Sequence, residues 1–326
     1  MKKIYKIITS TVLTLAISTN MFLSSAIDEY GNPISYFFVD GISYVHDDDS
    51  TKATMLGGTM NGKLETFNIP ETVKNESDSK TYTITSVNFD EWDGLHASIY
   101  TIKTINISRN LEYINTYYNH MLPSSIIWKN LKTINVPIDS NLKSLSGFFN
   151  CPKLKSVYIP ASVKSIGFKN CPNLKMTVSK DNPKYKMRNT RYLCSKNGKK
   201  AYEYFGKQKS VTIPKGITAL YGTYSDNKYI KKVTIPSSVK TIKGYTFSNC
   251  KGLSKVIIKN EKKAPKISKK TRYNITDKVF ENTKKGIKFY VKNKKVAKSL
   301  KKQLKGSGVK KAKILVGKKV VYKNVK

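Results

Sequence analysis

The sequence predicts a mainly β or α/β solenoid: a stack of about 20–23-residue coils with short parallel strands, closed by a basic α/β region at its C-terminal end. Three observations carry that expectation. Apolar residues recur at the same offsets, 0, 2, 6 and 9, in Ile105, Ile107, Leu111 and Ile114; Val157, Ile159, Val163 and Ile166; Val211, Ile213, Ile217 and Leu220; and Val233, Ile235, Val239 and Ile242. Proline punctuates the chain just after such pairs, at Pro70, Pro137, Pro160, Pro214 and Pro236, with steps of 23 residues from Pro137 to Pro160 and 22 from Pro214 to Pro236. A Phe-x-Asn-Cys motif with leucine three residues on appears as Phe148 to Cys151 with Leu154, Phe168 to Cys171 with Leu174, and Phe247 to Cys250 with Leu253.

Offsets 0 and 2 place two side chains on one face of a strand, because side chains alternate along it. Proline cannot donate to a ladder, so it ends the strand where the chain turns out. The steps fall within the period of a leucine-rich repeat stack. One coil cannot bury its own apolar side, and stacking makes a continuous core in which the same rows repeat. Two further rungs fit with insertions. Ile134 and Val136 lead to Leu142 and Leu145 two residues late, and Phe67 and Ile69 lead to Val73 and a polar loop from Lys74 to Lys80.

Taken from the N-terminus, Lys2, Lys3 and Lys6 precede an apolar stretch from Ile7 to Leu23 that ends in Ser24-Ser25-Ala26, the pattern of a secretory signal peptide over residues 1–26. Thr9, Ser10, Thr11, Thr14, Ser18, Thr19 and Asn20 make that stretch a poor spanning helix, so the mature chain is expected outside the membrane with no transmembrane segment. Residues 27–100 are read as an N-terminal cap and first coil, 101–260 as the leucine-rich repeat solenoid, and 261–326 as a Lys-rich C-terminal cap or tail. In that last region Phe289 to Val291 reads as a strand, Asn293 as an N-cap, and Lys294 to Lys305 as a helix ending at Gly306. Its stripe of Val296, Leu300 and Leu304 is expected to dock on the last coil. Ala312 to Val316 and Lys319 to Val325 read as strands around Gly317.

The motif residues are expected to form an inward ladder: Phe148, Phe168 and Phe247 with Leu154, Leu174 and Leu253 as apolar rows, and Cys151, Cys171 and Cys250 as small buried hydrophobes. The asparagine amides are expected to satisfy backbone groups at the turn. Cys194 stands outside the motif as a lone thiol in a variant coil.

The pattern L-x-x-V-x-I-P-x-x-V-x-x-I followed by F-x-N-C-x-x-L resembles the BspA-type leucine-rich repeats of bacterial surface and secreted proteins. Ser179 to Thr218, with its Asn-Pro-x-Tyr segment, is similar to the longer variant coil of that family, although Leu193-Cys194 departs from the Leu-Tyr-like pair expected there. Ser43 to Asn88 resembles the first coil or N-terminal cap. The resemblance covers most of residues 40–300. It implies adhesins and surface antigens that bind other proteins or polymers.

Charge narrows the partner. Residues 27–130 hold 7 Lys plus Arg against 14 Asp plus Glu, residues 131–250 hold 23 against 4, and residues 251–326 hold 27 against 3. Lys294, Lys295, Lys298, Lys301, Lys302, Lys305, Lys310 and Lys311 are the polyanion-binding candidates, with almost no acids between them. The expected partner is a cell-envelope anionic polymer, or a host protein or glycan; sulfated glycans and released DNA attract by the same electrostatics. No groove-reading motif accompanies the charge, so sequence-specific nucleic-acid binding is not expected. The final residues, VGKKVVYKNVK, show neither an LPxTG-like motif nor a hydrophobic tail, which leaves a noncovalent basic tether.

Other chemistry is thin. His46, His96 and His120 have no HExxH spacing, and His46 beside Asp47, Asp48 and Asp49 suggests a weak cation site on a loop or simply a solvated turn. No phosphate loop or paired-cysteine zinc pattern is present, so no cofactor, metal or catalytic residue is expected. The expected function is an exported, envelope-associated, adhesin-like binding protein. The alternative is a structural wall-associated spacer without a specific ligand, and the chain is expected to be monomeric or to self-associate in a salt-sensitive way.

Overall fold

The computed structural model describes residues 26–27, 33–47, 50–58, 64–88, 101–115, 128–268, 271–272, 275–276 and 278–326. These form two compact units, residues 1–168 and 169–326. The signal-peptide reading falls outside the described residues except at Ala26, as do Asp48, Asp49, His96 and His120. Among the described residues no helix is long and apolar enough to cross a membrane.

The first unit opens with antiparallel strands, Ala26–Ile27, Pro33–Val39, Ile42–Asp47 and Lys52–Gly58, paired in that order. His46 belongs to the third of these and is buried, its ring 4.3 Å from Tyr82 and 5.8 Å from Phe37. This corrects both sequence readings of His46: it is neither on a solvated turn nor on a cation-binding loop, because strand alternation turns its ring toward the aromatic core. Lys52–Gly58 then pairs in parallel with Thr81–Asn88, which also pairs antiparallel with Thr72–Lys74. The polar excursion is the turn of that hairpin, closed by the Asn75 amide donating to the Lys80 carbonyl.

From here each coil contributes two strands, where the sequence suggested one. The first ladder runs through Thr66–Asn68, Thr104–Asn106, Thr133–Asn135 and Ser156–Ile159, all parallel. A second runs through Thr81–Asn88, Tyr113–Asn115, Ser144–Phe149 and Ser165–Lys169. The offset-0 residues Ile105 and Val157 point inward from the first ladder, and the residues after the turn, Ile114 and Leu145, point inward from the second. Phe148 stacks between Trp128 at 5.7 Å and Phe168 at 5.1 Å.

In the second unit the strand Lys175–Val178 precedes an antiparallel meander, Tyr185–Arg188, Tyr192–Ser195 and Lys200–Tyr204, which is the variant coil. Its last strand leads a parallel ladder through Ala219–Tyr221, Thr241–Lys243 and Lys266–Ile267. A second parallel ladder joins Ser210–Thr212, Lys232–Ile235, Lys255–Ile258, Lys288–Val291 and Ala312–Val316, and Lys319–Val325 closes it antiparallel.

The helix spans Lys294–Leu304. Asn293 Oδ1 accepts the Val296 amide at 2.9 Å, satisfying one of the free N–H groups of the first turn. Lys301 and Lys302 lie in the last turn, where the helix dipole favours cations. Gly306 takes φ 75°, which lets the chain leave the helix without a Cβ clash. Val296, Leu300 and Leu304 are fully buried in one core with Phe247, Phe280, Phe289, Ile314 and Val325. The Lys-rich C-terminal residues are thus packed into the same core as the coils that precede them.

Candidate functional site

The repeated motif builds the corner of each coil. Phe148, Cys151, Leu154, Phe168, Cys171, Leu174, Phe247, Cys250 and Leu253 are each at most 3% exposed, so all nine lie inside. In the second unit a ring stack runs on both sides of Phe247: Tyr224 at 5.4 Å and Phe280 at 5.3 Å, nearly parallel to it. Tyr224 and Phe280 were not legible as motif members by the Phe-x-Asn-Cys rule. The signal was there in a degenerate form, since Tyr224-Ser-Asp226-Asn227 with Ile230 repeats the spacing of Phe247-Ser-Asn249-Cys250 with Leu253.

The three asparagines share a left-handed backbone, and Asn249 acts differently from expectation. Asn150, Asn170 and Asn249 have φ of 54°, 51° and 57°, the left-handed region that asparagine tolerates better than other side chains. Asn249 donates to Asp226 Oδ1 at 2.7 Å and accepts from Asn282 at 3.0 Å, so its amide links neighbouring coils at the rim instead of capping backbone groups inside. The inward hydrogen bonding falls to the next position. Cys250 Sγ donates to the Tyr224 carbonyl at 2.9 Å, and Asn227, which replaces cysteine one coil earlier, donates to the Gly206 carbonyl at 3.1 Å.

The lysines singled out in the sequence are all exposed: Lys294, Lys295, Lys298, Lys301, Lys302 and Lys305 on the polar face of the helix, with Lys310 and Lys311 on the loop before the next strand. Lys301 lies over the Tyr322 ring at 4.6 Å. Sequence reading missed another set. Cross-strand register aligns Lys232 with Lys255, Lys255 with Lys288, and Lys288 with Lys313 on four consecutive parallel strands. Their neighbours Val233, Val256, Phe289 and Ile314 are buried, so the lysines stand on the outer face.

On the unit's other sheet the half-exposed Tyr202 and Tyr221 and the buried Tyr185 form a strip accompanied by cations. Tyr202 packs against Tyr185 at 5.9 Å and Tyr221 at 5.8 Å, with Lys243 over Tyr221 at 4.6 Å and Lys184 over Tyr185 at 5.4 Å. Among the described residues no group of three or more His, Cys, Asp or Glu is placed to hold a metal ion.

Two-strand coils stacked in parallel, with a buried Phe, Cys and Leu corner, define a leucine-rich repeat solenoid. Residues 195–296 match the family described as "BspA type Leucine rich repeat region (6 copies)", so that segment carries repeats of the BspA type. Among solved structures it is similar to the pneumococcal vaccine antigen PcpA, at 16% identity over 87% of this chain and 99% of that one, with a TM-score of 0.44. A leucine-rich cell surface protein from Faecalibacterium prausnitzii matches at 13% identity over 87% and 95% of the two chains (TM-score 0.33), and a leucine-rich repeat protein from Bacteroides ovatus at 15% over 86% and 90% (TM-score 0.35). No curated protein matches the chain.

Proposed function

We propose that this chain is an exported, cell-envelope-associated binding protein of adhesin-like type, without enzymatic activity. In this reading the coils recognise a protein or glycan, and the basic C-terminal region holds an anionic polymer. The observation that carries it is the distribution of charge between the two units. Residues 1–168 hold 15 Lys plus Arg and 15 Asp plus Glu, while residues 169–326 hold 45 and 6, so the whole net charge of +39 belongs to the second unit. Six carboxylates cannot neutralise 45 cations, and such a field attracts polyanions and raises their local concentration. The half-exposed tyrosines Tyr202 and Tyr221 supply ring area of the kind binding surfaces use.

The test is retention of the signal-free full chain on bacterial cell walls, before and after removal of their anionic polymers, along a salt gradient. Retention that depends on the polymer and falls steeply with salt is the expected result. Retention that survives both treatments would assign recognition to uncharged contacts.

A further inference from the structure

We propose that the row Lys232, Lys255, Lys288 and Lys313 is a track for a linear phosphodiester polymer lying across the strands. The inference rests on the polyanion reading above and gives it a place and a ligand chemistry. Neighbouring strands are about 4.8 Å apart, so register holds four ammonium stems side by side at that interval. Like charges directly opposite on a sheet oppose folding. None of the strands in this sheet carries an aspartate or glutamate, and the unit's acids among the described residues, Asp181, Glu203, Asp226, Glu261 and Glu281, all lie outside it.

The corresponding row in the first unit shows what the fold alone asks for. There the register aligns Thr66, Thr104, Thr133 and Ser156, all neutral. Two residues further along, Asn68, Asn106 and Asn135 pair amide to amide at 2.6 and 2.7 Å, satisfying one another. A row of uncompensated lysines at that position therefore works against the sheet and suits a ligand that supplies the opposite charge.

The row also selects the kind of anion. Its members are lysines without an arginine, compact point charges that do not impose the planar fork geometry of carboxylate recognition. One cation per strand suits a flexible chain with one charge per repeat. Lys288 and Lys313 are exposed and Lys232 and Lys255 half-buried, and Lys255 Nζ rests 4.4 Å from the Tyr290 ring centroid, which holds that stem toward the outer face.

The experiment uses the signal-free full chain and poly(glycerol phosphate) as probe, with heparin and polyglutamate as competing arms. The row variant is Lys232→Thr, Lys255→Thr, Lys288→Thr and Lys313→Thr; the control removes the same charge from the helix, Lys294→Gln, Lys295→Gln, Lys298→Gln and Lys305→Gln. The row variant is expected to lose affinity for the phosphodiester on the order of a hundredfold at low salt, and the slope of log K against log salt to shrink by about 3. The helix variant is expected to lose less than about tenfold by the same scale. A milder pair on the exposed positions alone, Lys288→Thr with Lys313→Thr, is expected to lose about tenfold and keeps the test open if the fourfold variant misfolds. Equal losses from row and helix would overturn the track while leaving the polyanion reading standing. Row-dependent binding of heparin or polyglutamate in preference to the phosphodiester would overturn the assigned chemistry, and failure of the unmodified chain to bind any of the three would overturn the polyanion reading itself.

Discussion

Glu203 is the residue whose chemistry is most altered by its surroundings. It is 6% exposed on the strand Lys200–Tyr204 and forms an ion pair with Lys169 Nζ at 2.6 Å. Burial pushes its carboxyl up to about 7 from the ordinary 4.5, against the pull of Lys169. The native state then holds a proton that the unfolded chain has released, so this contribution to stability is full below about 4.5 and is lost as pH rises through about 7. Thermal unfolding from pH 5 to pH 8 is expected to show declining stability, with a loss on the order of 3 kcal/mol from this group. Glu203→Gln is expected to flatten that slope, since Lys169 keeps its bond to the Gly222 carbonyl at 3.0 Å and a partial exposure to water.

The cysteines make a second prediction at this scale. All four are buried, and burial raises Cys194 to about 11 and Cys250 to about 12. The thiolate is the reactive species, so a thiol reagent at pH 8 is expected to label none of them in the native chain and all of them in denaturant. Native labelling of Cys250 would mean that its coil opens.

At the scale of elements, the C-terminal helix separates packing from charge. Leu300→Ala removes a fully buried side chain from the common core and is expected to cost 2–5 kcal/mol in urea unfolding, the usual range for such truncations. Asn293→Ala removes the N-cap acceptor and is expected to cost about 1 kcal/mol. Lys298→Gln on the exposed face is expected to leave stability unchanged within about 0.5 kcal/mol. The helix, its cap and its stop were legible in the sequence because capping and a stripe every three or four residues are local signals. The lysine row was not, because its members lie 23, 33 and 25 residues apart and no single period connects them.

For the whole molecule, the basic C-terminal region matters to folding as much as to charge. Residues 251–326 carry 27 Lys plus Arg against 3 Asp plus Glu, yet they also supply Val256, Phe280, Phe289, Leu300, Ile314 and Val325 to the second unit's core. In a solenoid each coil is stabilised by its neighbours, so a chain ended at residue 250 exposes the inner faces of Phe247 and Ile242. That truncated chain is expected to bind a hydrophobic dye and to lose cooperative unfolding of the second unit, as followed by fluorescence and circular dichroism. Cooperative unfolding without dye binding would show that the coils before residue 250 stand alone.

The sequence by itself determined the repeat, the inward Phe, Cys and Leu positions, the C-terminal strands and helix, and the imbalance of charge. Each is written in spacing or composition, where the rules of strand alternation, helix period and capping act over a few residues. Only the tertiary structure decided that each coil carries two strands, that His46 is a core side chain, that the motif asparagines take left-handed backbone with Asn249 bonding at the rim, and that four distant lysines share one row. These depend on which residues lie side by side after stacking, and hydrogen-bond register between coils is set by the insertions and turns of the folded chain, not by any local pattern.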